Sequence, residues 1–350
     1  MNGHLLVVAP GLHSTVQDLG RFGYQAYGVP VAGALDPIGL RLANAVAGNG
    51  AGRGEGRGAL EFLYSGPTLE VAAAAVRVAA SAEIEILSDP PRRIPPWQSV
   101  RLVCGERFRF GALPGASRGS VCGYLAVEGG FAIAPILGSQ STYVRGRIGG
   151  LEGRPLRAGD RLALALDSPG ERGEVCLAAP PDLAPPARLR VVLGPQDDHF
   201  TQAALDAFLN QPFTVTPEAD RMGLRLSGPR LDHARGFNIV SDGIATGAIQ
   251  VPGSGQPIVL LADHQTTGGY PKIATVISAD LPAAGRLKPG DEIGFAAVSV
   301  AEAQEVRRSL EAELGHRMRG LVAAHTPAVL NQAALYGGNL ISGVVDGAGG

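Results

Sequence analysis

Lysine is almost missing from this chain. Lys272 and Lys288 are the only lysines among 30 basic residues, and the rest are arginine. Those 30 face 32 acidic residues, so no excess of one sign points to a nucleic-acid or membrane-surface partner. Cysteine is as scarce: Cys104, Cys122 and Cys176 are odd in number and far apart, with no CxxC. They read as reduced thiols rather than a disulfide framework. The seven histidines include no HExxH, so no dedicated metal site is expected. No apolar run is long enough to span a bilayer, since the longest, Val71 to Ala82, is broken by Arg77 and followed by Glu83. The start of the chain lacks the basic segment of a signal peptide, and a soluble, cytoplasmic protein is expected. Neither GxxxxGK(S/T) nor GxSxG occurs, so neither a P-loop nor a hydrolase elbow is recognisable.

What the chain does have is 50 glycines and 26 prolines scattered among short apolar runs, the pattern of many strands and tight turns. Leu5 to Ala9 reads as a first strand. Asp36 as N-cap and Pro37 at the first position open a short helix that stops at Gly48-Asn49, with Arg41 and Asn44 on one face. Gly50 to Gly58 reads as a flexible loop. From Ala59 to about Cys176 short alternating runs such as LEFLYSG and GYLAVEGG predict a β-rich domain. Four prolines within Pro180–Pro186 make an extended linker. Beyond it come a strand over Leu189–Leu193 and a helix from about Asp198 to Leu209. Ser299-Val300-Ala301-Glu302 forms a capping box opening a helix to about Arg319. The expected division is an N-terminal β-domain over 1–179, a second over 187–298, and a C-terminal helix and tail over 299–350.

The richest stretch lies between two apolar runs, Ile258–Ala262 and Ile273–Ile277. Asp263-His264-Gln265-Thr266-Thr267-Gly268-Gly269-Tyr270-Pro271-Lys272 is longer and more polar than a simple reversal needs. Gly268-Gly269 lets the backbone approach a ligand closely, and amides in such turns can cradle an anion. The competing reading is a surface loop whose side chains only satisfy backbone groups. Two further polar, glycine-punctuated segments accompany it: Gln17-Asp18 with Arg21, and Gly138 to Tyr143. Asp220-Arg221 is either an internal ion pair or a substrate clamp. A lysine retained at 272 in so arginine-rich a chain suggests a need for a compact ammonium.

TVQDLGRFGY, GVPVAGALD, Leu42-Ala43-Asn44, GSQSTY, DRMGLRL, GAIQVP and DHQTTGGYPK occur in this order. Together they make the chain resemble the allophanate hydrolase subunit 2 family, also called the biotin-dependent carboxyltransferase or KipA family, over roughly residues 5–298. That family includes PxpC of the bacterial 5-oxoprolinase and the carboxyltransferase part of urea carboxylase. The resemblance implies a mainly β protein with two cyclophilin-like β-barrel domains and a C-terminal helix. It also implies work beside a sister subunit of the KipI or PxpB type and a third of the PxpA type, in a complex that opens 5-oxoproline to glutamate with ATP. A carboxyltransferase served by a biotin carrier in trans, or a non-catalytic partner of an antikinase, are the alternatives. Met1, Met222 and Met318 leave no Met-Lys-Met, so no biotin is attached to this chain, and ATP has no recognisable site on it. The implied site takes Asp263, Tyr270 and Lys272 as catalytic residues. Gln17, Asp18, Arg21, Asp36, Asn44, Asp220, Arg221, Gln250, Gln265, Thr266, Thr267, Gly268 and Gly269 are expected to bind substrate.

Overall fold

A computed structural model describes residues 3–50, 56–113 and 120–324. Most of the Gly50–Gly58 loop and the tail from 325 to 350 therefore lie outside the described residues. The protein is mainly β, and its second half closes into a seven-stranded barrel. Around it the strands run Arg188–Leu193, Lys272–Val276, Ala248–Gln250, Ile258–Leu260, Gly223–Ser227, Phe213–Val215 and Glu292–Ala297. Closure is made by a parallel pairing of Arg188–Leu193 with Glu292–Ala297, so no edge is left open. Phe208 and Phe295 stack inside with ring centroids 4.5 Å apart. Phe208 arrives from helix α2, Gln202–Asn210, which Thr201 caps by accepting from the Ala204 N–H.

The first half holds its own core between a six-stranded and a five-stranded sheet. Strand alternation explains how it also meets the barrel. In Ala59–Leu63 and Cys122–Val127, Leu60, Phe62, Leu125 and Val127 point into that first core. The intervening Ala59, Tyr124 and Ala126 point the other way, into a core shared with the barrel. A sheet buried on both faces loses its polar alternation and reads as continuous apolar sequence. Helix α1, Pro37–Asn44, lies on that second face. It begins where expected, with Asp36 Oδ1 accepting from the N–H groups of Ile38 (3.0 Å) and Gly39 (3.1 Å).

Two further helices belong to the second half. In α3, Leu281–Gly285, a Cβ on Gly285 would collide with the Leu35 carbonyl, so the close contact between halves requires glycine there. Helix α4, Val300–Arg319, opens on the expected capping box of Ser299 and Glu302. Its Leu314 and Met318 enter the shared core, and Glu311 pairs with Arg41 of α1 at 2.9 Å. The chain then returns to the first half, where Leu321–Ala323 pairs with Val175–Leu177. No described helix is long and apolar enough to cross a membrane.

The three thiols are free and differ in environment. Burial pushes the Cys122 thiol up to about 12, whereas Cys104 is exposed. A thiol reagent is expected to label Cys104 in the native protein and Cys122 only after denaturation, as peptide mapping of the modified chain would show.

Candidate functional site

The residues singled out in sequence fall into three places. The first is the junction of the two halves, where Arg221 is 7% exposed. Its Nε and Nη2 donate to the two oxygens of Asp263 at 2.9 and 3.0 Å, and Nη2 also donates to the Gly33 carbonyl at 2.7 Å. Its Nη1 donates to Glu61 of the opposite half. Burial disfavours the guanidinium charge, but Asp263 and Glu61 outweigh it and hold Arg221 above its ordinary range. The network continues through Tyr124, whose hydroxyl donates to Glu61 Oε2 at 2.6 Å and accepts from the Asp36 N–H at 2.8 Å. Asp36 Oδ2 in turn accepts from Arg286 at 3.0 Å. Asp36 and Arg221 thus join the halves, and both Asp263 oxygens are engaged by that one guanidinium. Sequence reasoning misses Glu61. Its signal is a lone carboxylate inside the apolar run LEFL.

The other end of the 263–272 loop forms the second place. Lys272 is register partner to Gln250 and its ammonium donates to Asp242 Oδ2 at 3.0 Å. That bond, then the Gly243 N–H, pulls the Asp242 carboxyl below its usual range. Asp242 is also missed, hidden in an ordinary Ser-Asp-Gly turn. Gln250 is buried and its Nε2 has no partner among the described residues, while its Oε1 accepts from Gln265 at 3.1 Å. A Cβ on Gly268 would stand 2.7 Å from that Nε2, so glycine here admits the amide. Thr267 and Gly268 pair with Gly243 and Asp242, and Thr266 accepts through its carbonyl from the Ile244 N–H. Gln250, Gln265 and the half-exposed Tyr270 line an open groove of about 720 Å³ on the barrel, with Asp220, Arg145 and Arg225 at its side. Asp220 Oδ1 holds the adjoining turn by accepting from the Met222 N–H at 2.8 Å. The loop thus divides the three groups expected to be catalytic: Asp263 at the junction, Tyr270 in the groove, Lys272 buried on the strand beside Gln250. Gly269 joins Ile239 through a backbone bond of 2.9 Å.

His264 anchors the loop between them. Its Nδ1 lies 2.6 Å from the Gln265 carbonyl and its Nε2 3.1 Å from the Thr246 hydroxyl. Burial keeps its pKa low, as it does for His13. Both rings take up protons in the unfolded chain near the ordinary 6.5 but only at lower pH when folded. Their contribution to stability is therefore complete above pH 6.5 and lost as pH falls below it toward the folded values. The urea midpoint is expected to drop between pH 7.5 and pH 5.5, and His264→Gln is expected to reduce that drop.

The third place is the amino-terminal motif, which mainly ties loops together. Asp18 accepts from the Gly20 N–H, the Ser139 and Ser141 hydroxyls and the Gln140 N–H, at 2.5 to 2.8 Å. Gln17 donates to Thr15 and to the Thr142 carbonyl. Asn44 donates to the Leu40 and Arg57 carbonyls. Arg21 is fully buried, donates to the Ile136 and Ser141 carbonyls, and keeps Nη1 unpartnered among the described residues. Gln17, Asp18, Arg21 and Asn44 line neither the groove nor the cavity between the halves that Leu35, Leu63 and Leu261 border.

Against known proteins, the family described as carboxyltransferase domain, subdomain A and B, matches residues 27–297. The chain belongs to that family. Among its named relatives, the C subunit of the Haemophilus influenzae 5-oxoprolinase is 37% identical over 304 residues, 85% of this chain and 92% of that one. The Escherichia coli protein of the same name is 35% identical, covering 87% and 94%. The crystal structure of the Kluyveromyces lactis urea carboxylase superposes on 93% of this chain with a TM-score of 0.78 at 26% identity. The chain spans 31% of that larger protein.

Proposed function

We propose that this carboxyltransferase-family chain is a subunit of an ATP-dependent 5-oxoprolinase, which hydrolyses 5-oxo-L-proline to L-glutamate together with sister subunits of the PxpB and PxpA types. The observation that carries the reading is the near end-to-end match to a 5-oxoprolinase chain, 92% of the Haemophilus influenzae protein. The groove suits the substrate's chemistry. Arg145 and Arg225 offer guanidinium forks for a carboxylate. The unpartnered Gln250 amide, buried at the groove wall, can donate to a lactam oxygen as negative charge develops there. Tyr270 supplies a hydroxyl for proton movement, and Gln265 orients the Gln250 amide. Lys272 contributes positive charge from the strand beside Gln250, and Asp263 holds Arg221 at the junction. ATP is consumed by the complex in the cytoplasm.

A second reading is supported by the superposition on urea carboxylase: a carboxyltransferase taking its carboxyl group from a biotin carrier on another chain. Co-expression with the neighbouring subunits decides between them. The first reading expects ATP-dependent glutamate release from 5-oxoproline by the complex and none by this chain alone. Biotin-dependent carboxylation without glutamate release would overturn it in favour of the second.

A further inference from the structure

Across the barrel, Arg225 is register partner to Ile258, Ile258 to Gln250, and Gln250 to Lys272. Register partners share a face and neighbouring strands stand about 4.8 Å apart, so these four side chains form one row. The pairing shifts between Ile249 and Gln250, which sets Gln250 opposite Lys272 rather than the core residue Ile273. At one end of the row Arg225 is exposed on the groove. Toward the other, Gln250 and Lys272 are only 2% and 3% exposed.

What covers them is a short ribbon in which Asp242 and Gly243 pair with Gly268 and Thr267. Gly268 lies directly on the unpartnered Gln250 Nε2, since a Cβ there would stand 2.7 Å from it. Asp242, on the facing strand of the ribbon, accepts from the Lys272 ammonium at 3.0 Å. That carboxylate is the ammonium's one hydrogen-bond partner among the described residues, although the group carries three donors. Beside the ribbon, Ile244 is buried against Ala248 and Leu260, while Val240, two residues before Asp242, is exposed. A buried ammonium needs an anion or water, and the anion offered to Lys272 is carried by the ribbon. The seat of the ribbon and the charge of Lys272 are therefore coupled. Asp242 itself is exposed, so releasing it into water costs little and the contact can open and close.

We propose that Asp242 is a positioning residue that acts through Lys272: it fixes the ammonium on the strand beside Gln250 and latches the ribbon over the Gln250 amide. For its Nε2 to reach a ligand in the groove, Gln250 has to come out from under Gly268, which requires the latch to open. Reclosing returns the ammonium's charge to the strand beside the amide and shuts water out. The part Asp242 plays in turnover rests on the 5-oxoprolinase reading, whereas the latch itself does not.

The chain's poverty in lysine supplies the test, since Lys288 is the sole other lysine and serves as internal standard. The full chain is acetylated with N-hydroxysulfosuccinimide acetate, and both sites are followed by peptide mapping. Lys272 is expected to react slowly in the native chain, at least about tenfold faster in Asp242→Ala, and slowly again in Asp242→Glu. Lys288 is expected to react alike in all three. Unchanged acetylation of Lys272 in Asp242→Ala, or equal acceleration at both lysines, would overturn the latch. In the assembled complex, Asp242→Ala is expected to lower turnover at least about tenfold. Combined with Lys272→Met it is expected to lower turnover no further than Lys272→Met alone, because one residue acts through the other. Losses that multiply in the double variant would overturn the positioning role. A complex that releases no glutamate would refute the 5-oxoprolinase reading, while acetylation would still judge the latch.

Discussion

Arg221→Met is expected to destabilise the protein by about 3–5 kcal/mol, the range for removing one partner of a buried ion pair. The guanidinium is shared by Asp263 of its own half and Glu61 of the other, 160 positions away in the chain. Methionine fills much of the volume but leaves two buried carboxylates facing one another without a cation. Glu61 keeps its bonds from Leu35 and Tyr124, so its charge stays fixed where the repulsion is greatest. Urea denaturation measures the loss. Glu61→Gln in the Arg221→Met background removes one of those charges and is expected to restore part of it. A change below about 1 kcal/mol for Arg221→Met would mean that the junction tolerates the unpaired carboxylates, as an exposed pair would.

Lys272→Met is expected to lower turnover of the assembled enzyme at least about tenfold, roughly 1.4 kcal/mol in the barrier, while leaving the fold nearly intact. The two effects separate because of where the partner lies. Lys272 is buried, but Asp242 is exposed, so removing the ammonium leaves that carboxylate in water rather than in the protein interior. Tyr270→Phe, which deletes one hydroxyl from a half-exposed ring in the groove, is expected to cost a similar factor with no loss of stability. Steady-state kinetics of the complex with thermal melts of each variant provide the comparison. If both variants turn over normally, the 263–272 loop serves the fold, and the groove is not the reacting site.

How much of this is legible in the sequence depends on how far apart the interacting residues stand. Asp36-Pro37 and Ser299 with Glu302 announce helix starts because each cap is satisfied within three residues. The barrel strands on either side of the 263–272 loop are visible as apolar runs, though each is shorter than its run or offset from it by a residue or two. The loop itself stands out by its density of functional groups. Its division between junction and groove does not, because separation in sequence says nothing about which strand end faces which space.

Composition, local capping and the periodicity of short apolar runs by themselves determined a mainly β chain with a terminal helix and one polar loop on rigid strands, since each of these is set by interactions a few residues long. Only the tertiary structure decided that the sheet carrying Glu61 and Tyr124 is buried on both faces, and that Glu61 completes the Arg221 pair across the halves. It also decided that the Gln250 amide nitrogen, beside the groove, stays without a partner among the described residues. The reason is physical: which charges pair and which polar groups stay free depends on packing between segments brought together from distant parts of the chain, and on the low dielectric that packing creates.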